Sequence, residues 1–187
     1  MPITTLDPRS ALVVIDLQKG LLAYPTLAPI AELVARAGEL ASAFRRQGLT
    51  VVLVNAAGRA PGRTDQPPRA LDMPPGWTDI VPELGHQAGD LVITKHSPGA
   101  FGDTPLAAQL RERGVTQVVV VGVATSNGVE ATARAAFDLG FNVTLPVDAI
   151  TDVYRQAHDN SVARIFPRIA ETGSAADVLA LLAARGA

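Results

Sequence analysis

Two charged side chains stand where apolar runs end. Asp16 follows Ala11-Leu12-Val13-Val14-Ile15, and Lys95 closes Asp90-Leu91-Val92-Ile93-Thr94. A carboxyl at the rim of a dry core loses hydration, which favours its protonated form and suits it to proton transfer. If both residues end strands of one sheet, the ammonium of Lys95 can meet that carboxyl. A third stretch, Gly122-Val123-Ala124-Thr125-Ser126-Asn127-Gly128-Val129-Glu130, offers Thr125, Ser126 and Asn127 as helix caps, with Gly128 in the first turn. Free N–H groups at such a helix start would seat a developing oxyanion. Each feature has an ordinary structural alternative: Asp as a turn residue, Lys as a solvated strand end, and a cap with a glycine at any strand-to-helix junction.

The chain has no cysteine, so thiol catalysis, thiolate metal sites and disulfides are all excluded. Its histidines, His86, His96 and His158, lack the spacing of a ligand set, so no metal or other cofactor is expected. Each reads most simply as a surface or capping residue, with His96 favoured for function because it follows Lys95.

The elements that must position these residues alternate. Strands are expected at Ala11 to Asp16, Thr50 to Asn55, Asp90 to Lys95, Gln117 to Val123 and Asn142 to Asp148, with a weaker sixth around Arg168 to Thr172. The runs are continuous rather than alternating, as suits strands buried on both faces of a parallel sheet. Helical patterns lie between them at Ile30 to Arg46, Pro105 to Arg113, Ser126 to Leu139, Tyr154 to Ile165 and Ala175 to Ala184, with Gly48, Gly114 and Gly140 as stops and Ser174 as a start. The alternation predicts an α/β fold: a three-layer α/β/α sandwich with a mostly parallel six-stranded sheet. Ligands of such sheets bind beyond the carboxyl ends of the strands, which is where Asp16, Asn55, Lys95, the Gly122-Thr125 stretch and Asp148 fall.

Length and the lack of a linker predict one domain over 1–187, with the proline-rich segment from Ala56 to Gly89 as a functional covering loop. Hydrophobic residues make up 48% of the chain and aromatics 4%, so the core is aliphatic. Sixteen basic against eighteen acidic residues give no basic block, pointing away from nucleic acid and membrane surfaces and toward a small-molecule substrate. No apolar run spans a bilayer and the N-terminus lacks the pattern of a secretory signal, so a cytoplasmic location is expected. Asp16-Leu17-Gln18-Lys19-Gly20 stands where a dinucleotide-binding domain would carry its glycine fingerprint, which disfavours that class.

Taken together, ALVVIDLQKG, ITKHSPGAFGDTPLAAQLRERG and GVATSNGVEATARAAFDLGFNVTLPVDAITD, in that order, resemble the isochorismatase-like hydrolase superfamily, and HDNSVARIFPRIAETGSAADVLALL is similar to its closing part. The likeness implies a Rossmann-like hydrolase fold in which Asp16 and Lys95 match the superfamily's aspartate and lysine. Gly128 stands where most members place a cysteine nucleophile. It also implies a cis peptide at Val123-Ala124 beside an oxyanion hole. Ala124, Thr125, Asn127, Phe101 and Trp77 are the expected substrate contacts, and a homo-oligomer, dimer or tetramer, is the expected assembly. The metal-binding segment of nicotinamidases has no counterpart in Asn55-Ala56-Ala57-Gly58-Arg59-Ala60-Pro61.

A thioester route is closed without a thiol, and no motif-placed histidine activates Ser126 in its stead. The resemblance supplies a precedent: isochorismatases of phenazine pathways also lack the cysteine and cleave a vinyl ether by protonating it. Asp16 would be the acid, Lys95 would bind a substrate carboxylate or keep the acid oriented, and Gly128 would supply a backbone N–H and room beside the substrate. A two-carboxylate substrate would call for more cations, with Arg59, Arg63 and Arg69 of the proline-rich segment as candidates. The competing expectation is an inactive member that keeps the pocket to bind a small ligand or a protein partner.

Overall fold

The computed structural model describes residues 3–65 and 73–186. Strands are β1 (Ser10–Ile15), β2 (Thr50–Ala56), β3 (Leu91–Lys95), β4 (Gln117–Val123), β5 (Asn142–Pro146), β6 (Ile150–Thr151) and β7 (Glu171–Gly173). Helices are α1 (Ile30–Arg46), α2 (Leu106–Glu112), α3 (Glu130–Asp138), α4 (Arg155–Asn160) and α5 (Ala175–Ala183), with π turns at Thr125–Val129 and Ser161–Ile165 preceding α3 and following α4. The sheet runs β3-β2-β1-β4-β5-β7, with β6 paired to the end of β4, and every pair of named strands is parallel. Strand order therefore reverses between β1 and β4, and the crevice outside their carboxyl ends is where this architecture places ligands.

The sheet has seven strands rather than six. The expected fifth strand stops at Pro146, a 3-10 turn covers Val147–Ala149, and the chain then re-enters the sheet as the two-residue β6. Beyond β5, Asp148 leaves the sheet's end: it pairs with Arg36 at 3.5 Å and accepts from the Ala175 N–H at 2.7 Å. It thus serves the start of α5, which Ser174 opens with a capping box closed by Asp177.

Successive residues of β1 point to opposite faces, so Leu12 and Val14 enter one core layer while Val13 and Ile15 enter the other. The first layer is closed by α1 and α5, chiefly through Leu33, Leu40, Phe44 and Val178. The second is closed by α2, α3 and Phe166. β3 departs from the expectation of strands buried on both faces. It lies at the sheet's edge, its burial alternates, and Val92 is 45% exposed.

Within β4, Gly122 holds a backbone that only glycine adopts readily, with φ 112°, and a Cβ there would fall 2.1 Å from the Ile15 carbonyl oxygen. Gly122→Ala is therefore expected to lower stability by about 3 kcal/mol or more, combining overpacking with a forbidden dihedral. Urea denaturation followed by circular dichroism measures it, and a midpoint like the wild type's would show that β1 and β4 can separate at the switch point.

Candidate active site

Asp16 is the first residue beyond β1. Its N–H still bonds the Val54 carbonyl at 2.9 Å, while its own φ of 57° turns the chain out of the sheet. Asp tolerates this left-handed conformation better than most residues, though at some energetic cost, and such strain clusters at functional sites. Lys95 ends β3, two strands away, and its side chain crosses the end of β2 to place Nζ 2.9 Å from Asp16 Oδ2. Both side chains are nearly inaccessible, at 4% and 9% exposure for Lys95 and Asp16. Nζ also donates to the Ser97 carbonyl at 3.3 Å. Asp16 Oδ1 has no hydrogen-bond partner. Burial pushes the Asp16 carboxyl above its ordinary value; the Lys95 ammonium pulls it back without cancelling the effect.

The third element arrives from β4. The Val123-Ala124 peptide is cis, matching what the resemblance implies. The chain then winds through the π turn Thr125–Val129, and Gly128 comes to face Asp16: a Cβ on it would stand 3.2 Å from Asp16 Oδ2, 3.1 Å from the Val123 carbonyl oxygen and 3.0 Å from the Ile15 side chain.

The helix start differs from expectation. Its N-cap is Ala124, and none of Thr125, Ser126 or Asn127 caps it through a side chain. The Ala124 carbonyl accepts from the N–H groups of Asn127 and Val129, and the Ser126 N–H donates to Asp152 Oδ2 at 2.7 Å. Three of the N–H groups expected to seat an oxyanion are thus already bonded within the protein.

Asp152 was not legible as a site residue. It follows β6, is only 2% exposed, and its Oδ1 accepts from the N–H groups of Val153 and Tyr154 at 2.7 and 3.1 Å. Burial would raise its pKa, but these N–H groups and Ser126 outweigh burial and hold the carboxyl below its ordinary value. The only sequence signal was an acidic residue just past a short β-branched run, a pattern Asp148 shares without joining the site.

Asp16 and Asp152 line one cavity of about 170 Å³, whose apolar wall is supplied by Leu21, Tyr24, Val123 and Val153. Of the expected substrate contacts, Ala124 and Asn127 also line it. Thr125 does not: it is fully buried, with its hydroxyl 2.9 Å from His158 Nδ1. Phe101 is committed to the core, stacked on Phe141 with ring centroids 5.9 Å apart. The ring of Trp77 lies over Gly20, beside a separate surface cleft with Lys19 and Asp79. A larger cleft of about 390 Å³ lies at the opposite end of the sheet, around Gln117 and Asn142, the first residues of β4 and β5.

The proline-rich segment is anchored where it is described. Gln18 bridges to Ile80, Asn55 Nδ2 donates to the Thr78 carbonyl at 2.8 Å, and Lys19 pairs with Asp79 at 2.9 Å. Arg59 and Arg63 are exposed and do not line the cavity, and Arg69 lies outside the described residues. His86 is exposed, as is His96, which is 3.5 Å from Asp103. Among the described residues no group of three or more His, Cys, Asp or Glu could hold a metal ion, and no helix is long and apolar enough to cross a membrane.

Fold and site together define a doubly wound α/β scaffold carrying a buried acid–ammonium pair at its switch point. The isochorismatase domain model matches residues 10–177. The isochorismatase family protein YecD of Escherichia coli O157:H7 is 40% identical over 179 residues, covering 91% of this chain and 94% of its own. A solved isochorismatase family protein from Burkholderia thailandensis superposes with a TM-score of 0.91 at 40% identity, covering 96% of this chain and 98% of its own. Streptothricin hydrolase of Streptomyces noursei is 37% identical over 144 residues, covering 76% of this chain and 54% of its own. The chain belongs to the isochorismatase family of hydrolases.

Proposed function

We propose that this family member hydrolyses a small molecule without a cysteine nucleophile, with Asp16 as the group that gives and takes the proton and Lys95 as the residue that orients it. The half-engaged Asp16 carboxyl carries this reading. Oδ2 is tied to Lys95 at 2.9 Å, while Oδ1 is buried without a partner, an unmet polar atom on a residue that borders the cavity. Its raised pKa keeps a larger protonated fraction than an ordinary aspartate would have near neutral pH.

Vinyl-ether cleavage suits the surroundings better than attack on an amide. Acyl transfer builds negative charge on oxygen and benefits from waiting N–H donors. Here those of Ser126, Asn127 and Val129 are engaged, and two carboxylates border the cavity, which favours positive charge developing there. In the proposed route, protonated Asp16 gives its proton to the terminal enol carbon. The double-bond electrons form the new C–H bond, and an ether-oxygen lone pair stabilises the adjoining carbon as an oxocarbenium ion. Water adds to that carbon, its proton returns to the Asp16 carboxylate, and the hemiketal collapses to a carbonyl compound and an alcohol. Gly128 lets the turn approach Asp16 closely and provides no nucleophile.

A panel of small enol ethers and small amides tests this. We expect turnover of an enol ether, with kcat/KM falling as pH rises through the raised pKa of Asp16, because the acid must be protonated to act. A rate that climbs with pH, or hydrolysis of amides alone, would overturn the route. Gly128→Ala is expected to lower the rate less than Asp16→Asn does, because its methyl, 3.0–3.2 Å from Ile15, the Val123 carbonyl and Asp16 Oδ2, is tight enough to shift those neighbours by a few tenths of an ångström but removes no reacting group. A glycine at this position also favours a second reading, an inactive member that binds its ligand unchanged. Binding without turnover across the panel would select it.

A further inference from the structure

We infer that the cavity beside Asp16 takes an uncharged or cationic molecule of about one ring and turns anions away, with Asp152 as the residue that sets this preference. The inference rests on the reading above, in which this cavity receives the substrate.

Size is the first constraint. About 170 Å³ is well below the roughly 300–1,000 Å³ of cavities that enclose drug-sized ligands. Leu21, Tyr24, Val123 and Val153 give the occupant a mostly hydrocarbon wall. Charge is the second. Among the described residues the only ionisable carboxyls on the lining are Asp16 and Asp152, and no Lys, Arg or His lines it. The Lys95 ammonium, 2.9 Å from Asp16 Oδ2, is already bonded to that oxygen and to the Ser97 carbonyl.

Asp152 cannot escape the cavity's field by turning to solvent. Three backbone N–H bonds fix it in place, and it is 2% exposed. The same bonds keep it ionised. A carboxylate entering here would lose part of its hydration, find no cation among the described lining residues to replace it, and meet a fixed negative charge. A neutral ether loses little on entry, and an ammonium gains a partner. A two-carboxylate vinyl ether is the wrong charge for this site, and the substrate of the proposed reaction is an uncharged or amine-bearing enol ether.

Three probes of one ring and nearly equal size test the preference: benzyl alcohol, benzylamine and benzoate, titrated into the wild-type protein at neutral pH by calorimetry or ligand-observed NMR. Benzyl alcohol and benzylamine are expected to bind, and benzoate at least about tenfold more weakly, a difference of about 1.4 kcal/mol. Val153→Trp, at a partly exposed position of the wall, should abolish all binding and so locate it in this cavity. Asp152→Asn should bring benzoate within about threefold of benzyl alcohol; the wild-type ranking stands as a test even if that variant folds poorly. Benzoate binding as tightly as the alcohol, indifference to Val153→Trp, or no binding of any probe at millimolar concentration would each overturn the inference. Loss of enol-ether turnover with the ranking intact would sink only the proton-transfer reading. Asp16-dependent turnover of a dicarboxylate would sink only the charge preference.

Discussion

Asp16→Asn is expected to lower kcat by about 10²–10⁴-fold, the usual contribution of a positioned acid or base, while benzyl alcohol binds within a few-fold of wild type. Asn matches Asp in shape and is among the few residues that accept the φ of 57° found here, so the turn after β1 survives the change. Its amide oxygen can still accept from Lys95 Nζ. What it lacks is a proton that can be given and recovered at the position of Oδ1, the oxygen with no other partner. The residual rate should also lose the fall with rising pH attributed to this group. A variant that retains more than about a tenth of the wild-type rate, with the pH profile unchanged, would remove Asp16 from the chemistry and leave it a structural counter-ion to Lys95.

Lys95→Met should give the largest change in stability. The substitution keeps much of the side chain's length but leaves the Asp16 carboxylate buried without its ammonium, and breaking a buried pair in this way costs about 3–5 kcal/mol. The pH dependence follows from the sign of the shift. The folded-state pKa of Asp16 is already raised, and the Lys95 ammonium is the influence that lowers it, so its loss moves the value further up. A group with a raised folded pKa contributes its full stability below its unfolded pKa and loses it as pH rises through the folded one. The deficit of Lys95→Met relative to wild type should therefore be small in acid and grow toward neutral pH. Asp16→Asn in the same chain removes the buried charge, and the double variant should recover most of the loss. Urea denaturation of the four chains at two pH values measures the coupling. Additive effects, or a deficit independent of pH, would show that the pair is not the closed unit its 2.9 Å contact describes.

The two effects separate the roles of the pair. Asp16 is expected to dominate the rate and Lys95 the stability. The fixed Asp152 carboxylate is expected to alter neither strongly for an uncharged substrate and to govern which charges enter. Measured together, the three positions distinguish a working acid site from an inactive family member that retains the pair for its fold.

The sequence by itself determined the strand-and-helix alternation, the two charges at the ends of β1 and β3, and the absence of a thiol. Those readings succeeded because each is local. A β-branched run ends where the chain leaves the dry sheet, so the residue at its end is placed at the rim by the run itself, as Asp16 and Lys95 are. β6 escaped because two residues carry no period, and the exposed face of β3 escaped because edge position depends on sheet order. The tertiary structure alone decided which rim residues share a cavity. Asp148 and Asp152 lie four residues apart and look alike in the chain, yet one joins Arg36 and α5 while the other reaches Ser126 in the π turn that follows β4. Phe101 and Trp77 were expected as substrate contacts, but packing sent one to Phe141 and the other to Gly20. Contacts among segments more than a hundred residues apart follow from the placement of β1 beside β4. That adjacency is set by backbone pairing within the sheet and by the helices that bury both its faces, which no single stretch of the chain encodes.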